Sequence, residues 1–114
     1  MNAPTPFLLG YLAALIECDA SIHGEKRVNY RRATIEFEVS SRDMAERIAD
    51  LIGAESVTER RSRPSADGGP YAGSVTYRAR VRGAKAREVL RATRPFLSAD
   101  RGARVDLVLA ADRT

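Results

Sequence analysis

Apolar and polar residues alternate along this chain with two periods, and each change of period marks the boundary of an element. No residue from Phe7 to Ile16 is charged, and the run follows Pro4 and Pro6, so it predicts an apolar helix that ends on the acids Glu17 and Asp19. With no polar stripe, that helix is expected to be buried on nearly all sides. Strands are expected over 21–27 and 32–40, joined through 28–31. The second has a period of two, with Ala33, Ile35, Phe37 and Val39 on one face and Arg32, Thr34, Glu36 and Glu38 on the other. Ser40 and Ser41 offer a cap for a helix over 42–52, whose stripe is Met44, Ala45, Ile48, Leu51 and Ile52 and whose stop is Gly53.

A second pair of strands, 56–63 and 74–82, flanks a loop over 64–73 that is too rich in Pro and Gly for regular structure. In the later strand Val75, Tyr77, Ala79 and Val81 point inward, while Thr76, Arg78, Arg80 and Arg82 point outward. In the earlier one Val57 marks the inner face and leaves Thr58, Arg60 and Ser62 outside. A helix over 84–93 packs through Ala86, Val89 and Leu90. The segment Arg94-Pro95-Phe96-Leu97 breaks it, and a last helix over 101–111 carries Val105, Leu107, Val108 and Leu109. The class is α+β.

A chain of 114 residues, 44% of them apolar, is one domain with a single core. One cysteine, no secretory apolar segment and no apolar run of about 20 residues point to a soluble, intracellular, reducing setting. Cys18 itself reads as a small buried packing residue. The net charge of +4 is unevenly spread. Residues 1–55 hold six basic and nine acidic side chains, whereas residues 56–104 hold twelve basic and four acidic. Only Lys26 and Lys85 among the basic residues are lysines, and arginine makes planar, bidentate contacts to phosphate and guanine. A polyanion is therefore the first partner to consider, with an arginine-rich composition of no functional meaning as the alternative. The arginines on one strand face repel one another, which an anion would relieve.

Glu17 and Asp19 sit at the end of a helix where the macrodipole is negative, so a compensating cation is expected. Gly10, Ala14 and Glu17 share one face of that helix, and the small residues would let a second helix approach closely. His23 is the only histidine, and without a histidine or cysteine nearby it is a poor metal ligand.

The segment Leu12-Ala13-Ala14-Leu15-Ile16-Glu17-Cys18-Asp19-Ala20 resembles the nine-residue LAGLIDADG motif of homing endonucleases, with five of nine positions identical. Glu17 replaces the motif's first acid, Cys18 its small residue, and Ala14 and Ala20 its glycines. Tyr11 before the motif and Ser21-Ile22 after it fit the same family, and Pro95-Phe96-Leu97 is similar to the Pro-aromatic-Leu element that precedes the family's final helix. The resemblance covers almost the whole chain. It implies an αββαββα domain over 1–114, with helices on one face of a saddle-shaped antiparallel sheet. The implied activity is sequence-specific hydrolysis of double-stranded DNA by a homodimer with Mg²⁺ or another divalent cation such as Mn²⁺, the gene belonging to a mobile element, intein or intron.

Such hydrolysis needs a cation against the phosphate and a positioned water, and hard divalent ions take oxygen ligands. The resemblance makes Asp19 that ligand, with the Cys18 backbone carbonyl beside it and Glu17 as the lesser candidate. It makes Glu38 a side chain that orients water, although a plain surface glutamate is an equal reading. Arg101 stands next to Asp100, where the family often has a lysine. Gly10, Ala13, Ala14 and Glu17 would form the dimer interface. Ser21, His23, Arg32, Thr34, Glu36, Thr58, Arg60, Thr76, Arg78 and Arg80 would face DNA on the outer strand surfaces. The missing glycines and lysine keep two rivals open: a DNA- or RNA-binding module of the same fold without cleavage, maturase-like or regulatory, and a small α+β protein that recognises other proteins.

Overall fold

A computed structural model describes residues 5–26, 31–54, 56–61 and 74–112. The uncharged run near the start forms a helix, α1 (Pro6–Asp19), with Pro6 in the first turn and Thr5 Oγ1 accepting the Leu8 N–H. It leads directly into β1 (Ala20–Lys26), which pairs with β2 (Arg31–Val39). Next come α2 (Arg42–Ile52), β3 (Val57–Arg61) and β4 (Val75–Arg82). The chain ends with α3 (Ala84–Thr93), a 3₁₀ turn (Arg94–Phe96) and α4 (Ala99–Ala111). Gly53, at φ 75°, closes α2 in the left-handed region that glycine adopts without strain.

The four strands form one antiparallel sheet in the order β1-β2-β4-β3. Two registered rows, Ile22–Ile35–Val81 and Ala20–Phe37–Ala79, supply the buried face. Leu12 and Ile16 of α1, Ile48 and Ile52 of α2, Val89 and Leu90 of α3 and Val105 of α4 close over that face in one continuous core. At about 1.5–3 kcal/mol per large apolar side chain withdrawn from water, this layer is the main source of stability. The α+β class, the sheet and the helix packing agree with the pattern in the sequence.

Several expectations need correcting. α1 is not buried on nearly all sides: Phe7 is 81% exposed, and Gly10, Tyr11 and Ala14 are also open. Cys18 is exposed rather than buried, because it continues that outer face instead of the face carrying Leu12 and Ile16. Leu107 of α4 is 65% exposed, since only one stripe of the helix, Gly102, Val105 and Val108, meets the core. α4 starts at Ala99 because Ser98 caps it, Oγ accepting the Arg101 N–H at 3.3 Å. The anticipated loop over 64–73, Ser62, Tyr30 and Tyr71 lie outside the described residues.

One polar lock closes the fold. β4 ends opposite Thr34, so Ala33 of β2 finds other partners: its N–H donates to Asp112 Oδ1 at 3.2 Å and its carbonyl accepts the Gly83 N–H at 2.9 Å. The Asp112 side chain is fully buried and also pairs with Arg87 Nη1 at 3.2 Å. Removing one partner from a buried pair strands the others, so Asp112→Ala should lower unfolding stability by about 2–4 kcal/mol in urea titration. A change below about 0.5 kcal/mol, the range of ordinary surface substitutions, would mean that Asp112 does not anchor β2.

Candidate nucleic-acid interface and helix-end site

Glu17 and Asp19 end α1, whose last turn carries no basic residue of its own. The compensation comes from α4. Both carboxylate oxygens of Glu17 are held by Ser98, Oε1 by its N–H at 2.7 Å and Oε2 by its hydroxyl at 2.9 Å. Thus the acid that ends α1 sits over the positive start of α4, where a carboxylate is favoured. In return, Arg101 Nε donates to the Glu17 carbonyl at 3.3 Å and Nη2 to the Ala20 carbonyl at 2.9 Å. Arg104 Nε, one turn on, donates to the Ile22 carbonyl at 3.0 Å. The arginines therefore clamp carbonyls on both sides of Asp19.

This junction revises the expected roles. For Glu17, Arg101 and the helix start supply compensating charge, and both of its oxygens accept hydrogen bonds from Ser98. Arg101 serves as a clamp on the α1–β1 corner. Asp19 is the last residue of α1, between the clamped carbonyls; its side chain lies outside the described residues. No cluster of three or more potential metal ligands occurs among the described residues. Ser98 and Arg104 were not singled out by sequence reasoning, although Ser98 before Ala99, Asp100 and Arg101 is a legible helix cap.

The outer sheet face carries the predicted readers in registered rows. Ser21, Glu36 and Arg80 form one row; Glu38, Arg78 and Thr58 form the next; Thr76 and Arg60 form a third. A further row runs His23, Thr34 and Arg82. Carboxylates interleave the arginines: Glu36 lies 3.2 Å from Arg80 Nη1 and 3.7 Å from Arg78 Nε, beyond hydrogen-bonding reach for the latter. Glu38 accepts the Thr76 hydroxyl at 2.7 Å and stands 3.8 Å from Arg60. The expected repulsion on this face is thus offset within the protein, by cross-strand acids as well as by any anion. Since β1 begins at Ala20 opposite Phe37, Glu38 lies one residue beyond the pair that follows Asp19.

Two predicted site residues are withdrawn from the surface. Thr34 is 1% exposed between its row neighbours and donates its hydroxyl to the Arg32 carbonyl, so it does not present an edge to a base. Ala13 is 3% exposed, buried within its own chain, and is not available to a second helix. Gly10 and Ala14 are open, and a Cβ at Gly10 would meet nothing within 4 Å. With Phe7, Tyr11 and Cys18 they make an apolar helix face turned to solvent.

No family profile matches the sequence, and no curated protein matches it either. Solved structures do. The homing endonuclease I-CvuI in complex with its target, in the presence of calcium, superposes with TM-score 0.63 at 21% identity. A second I-CvuI structure, with magnesium present and the DNA not cleaved, gives the same TM-score and identity. The archaeal intron-encoded homing endonuclease I-Vdi141I complexed with DNA gives TM-score 0.59 at 18% identity. These alignments take in 91% and 87% of this chain but only 64% and 63% of the length of the matched proteins. The chain has the LAGLIDADG homing-endonuclease fold. No helix among the described residues is long and apolar enough to cross a membrane.

The helix-end lock has a pH signature. The Ser98 N–H, then the Ser98 hydroxyl, hold the Glu17 carboxyl below its ordinary value, with Arg101 adding to the effect. A depressed folded-state value means that the stabilisation is whole above the ordinary glutamate value of 4.5 and is lost as pH falls through the folded one. Glu17→Gln should therefore lower the Tm at pH 7 and flatten its fall on acidification, as measured by scanning calorimetry between pH 7 and 3. Identical Tm profiles for the variant and wild type would show that the lock contributes nothing.

Proposed function

We propose that this chain is a sequence-specific endonuclease of double-stranded DNA that acts as a homodimer with a divalent cation. The observation that carries the reading is a placement. The helix ending in Asp19 turns at a clamped corner straight into a sheet whose outer face is studded with arginines and hydroxyls. Antiparallel ribbons fit the major groove, where Arg80, Arg78 and Arg60 would meet guanine edges or phosphates, and Ser21, Thr58 and Thr76 would add smaller contacts. The related fold occurs in proteins solved on DNA, which supports the same use here.

The open apolar face of α1 supports dimerisation: small residues at Gly10 and Ala14 admit a second helix, and Phe7 and Tyr11 would lose exposed surface against it. A twofold arrangement would place two copies of Asp19 near each other, one for each strand. The donor set suits a hard cation: Asp19 and the Cys18 carbonyl offer oxygens, while Arg101 and Arg104 hold the neighbouring carbonyls in place. Such a cation would neutralise charge on the phosphate and lower the pKa of a bound water. Glu38, on the outer face beside the corner, would accept a hydrogen bond from that water, and the arginine rows would hold the duplex in register.

A second reading is favoured by one observation. Arg101 donates its N–H groups to backbone carbonyls, and Asp100 stands where a lysine would otherwise supply charge. A DNA-binding module that does not cut would look the same.

Asp19→Asn separates the readings: DNA binding should persist while cleavage with Mg²⁺ falls to background. Equal cutting by variant and wild type would remove Asp19 from the site, and intact DNA with wild type itself would favour the binding module. Ala14→Arg on the open face of α1 should give monomers by light scattering and abolish double-strand cleavage. A wild type that is already monomeric, with or without DNA, would sink the dimer.

A further inference from the structure

On the outer face Glu36 of β2 stands directly opposite Arg80 of β4, and the two are joined across the strands, Arg80 Nη1 donating to Glu36 Oε1 at 3.2 Å. Two neighbouring contacts are looser: Arg78 Nε lies 3.7 Å from Glu36, and Arg60 Nη1 lies 3.8 Å from Glu38. Glu36 is half-buried and Arg80 exposed, so the pair is fixed at its base and open to a ligand above the sheet. Ser21 of β1 continues the same row on the other side of Glu36. A phosphate brought to Arg80 would meet this carboxylate at close range. The pair is therefore suited to base edges rather than to the charged backbone.

The chemistry of the pair selects one base pair. A carboxylate accepts hydrogen bonds and a guanidinium only donates them; Arg80 keeps further N–H groups after giving one to Glu36. Side by side they offer donors next to an acceptor. A G·C pair presents the complement in the major groove, the acceptors N7 and O6 of guanine followed by the N4 donor of cytosine. An A·T pair puts the adenine N6 donor where the arginine must donate and thymine O4 where the carboxylate must accept, so it is opposed twice. We propose that Glu36 and Arg80 act as one unit that reads a single G·C base pair, Arg80 on guanine O6 and N7 and Glu36 on cytosine N4. This rests on the function proposed above and names a specificity determinant of that surface. The cross-strand bond orders both side chains before DNA arrives, which reduces the entropy lost on binding.

Selection of bound duplexes from a randomised DNA library by the full chain, at fixed salt and with metal chelated so that nothing is cut, tests the pairing. Wild type should require G·C in one orientation at a defined position, the other three pairs binding about 10- to 100-fold more weakly there. Glu36→Gln, whose amide both donates and accepts, should erase the discrimination against A·T at that position and leave the remaining positions as they were. Arg80→Lys keeps the charge but loses the planar fork, so it should relax the guanine requirement at the same position. Tighter binding of every sequence by Glu36→Gln, with the preferred site intact, would mean that Glu36 merely neutralises Arg80 and would overturn the reader. Loss of preference at two different positions in the two variants would overturn it as well. A wild type that retains no duplex at all would overturn the proposed function and the reader together, whereas retention with unchanged variant preferences overturns the reader alone.

Discussion

Two helix ends that neutralise each other set the geometry of this molecule. The acid at the end of α1 caps the start of α4, and arginines of α4 cap the carbonyls at the end of α1 and the start of β1. Each terminus would otherwise leave backbone groups without intrahelical partners. The exchange pins the α1–β1 corner from a distant part of the sequence, Glu17 to Ser98 and Arg101. Because β1 is the first strand of the sheet, the same bonds fix where Asp19 stands relative to the registered outer rows.

The sheet divides the labour between its faces through strand alternation alone. On the inner face apolar rows meet the helices, and on the outer face arginines alternate with Glu36 and Glu38 across the strands. That interleaving lets a strongly basic surface exist without DNA. It also means that a ligand must compete for arginines already paired at about 3–4 Å, which favours partners offering bidentate geometry over diffuse negative charge.

α1 carries two jobs on opposite sides. Leu12 and Ile16 belong to the core, while Phe7, Gly10, Tyr11, Ala14 and Cys18 face outward. A helix that is apolar all round is usually buried all round. Here the chain covers only one side, and the remaining apolar face is the strongest structural argument for a second copy.

By itself the sequence determined the elements, their order and the sheet faces. The period of two in 32–39 and 75–82 and the stripes of the middle helices reflect local geometry, which reads the same in any fold. α2 and α3 fall at the residues expected. The motif over 12–20 identified the fold, and Asp19 as a candidate, before any coordinates. Only the tertiary structure decided which polar groups were spoken for. Glu17 and Arg101 looked like free chemistry until Ser98 was seen to hold the Glu17 carboxylate and the Glu17 and Ala20 carbonyls to hold Arg101, and Thr34 looked like a reader until its row neighbours covered it. Hydrogen-bond partners 81 residues apart and burial between strands depend on how elements dock, and no local pattern in a single chain encodes that.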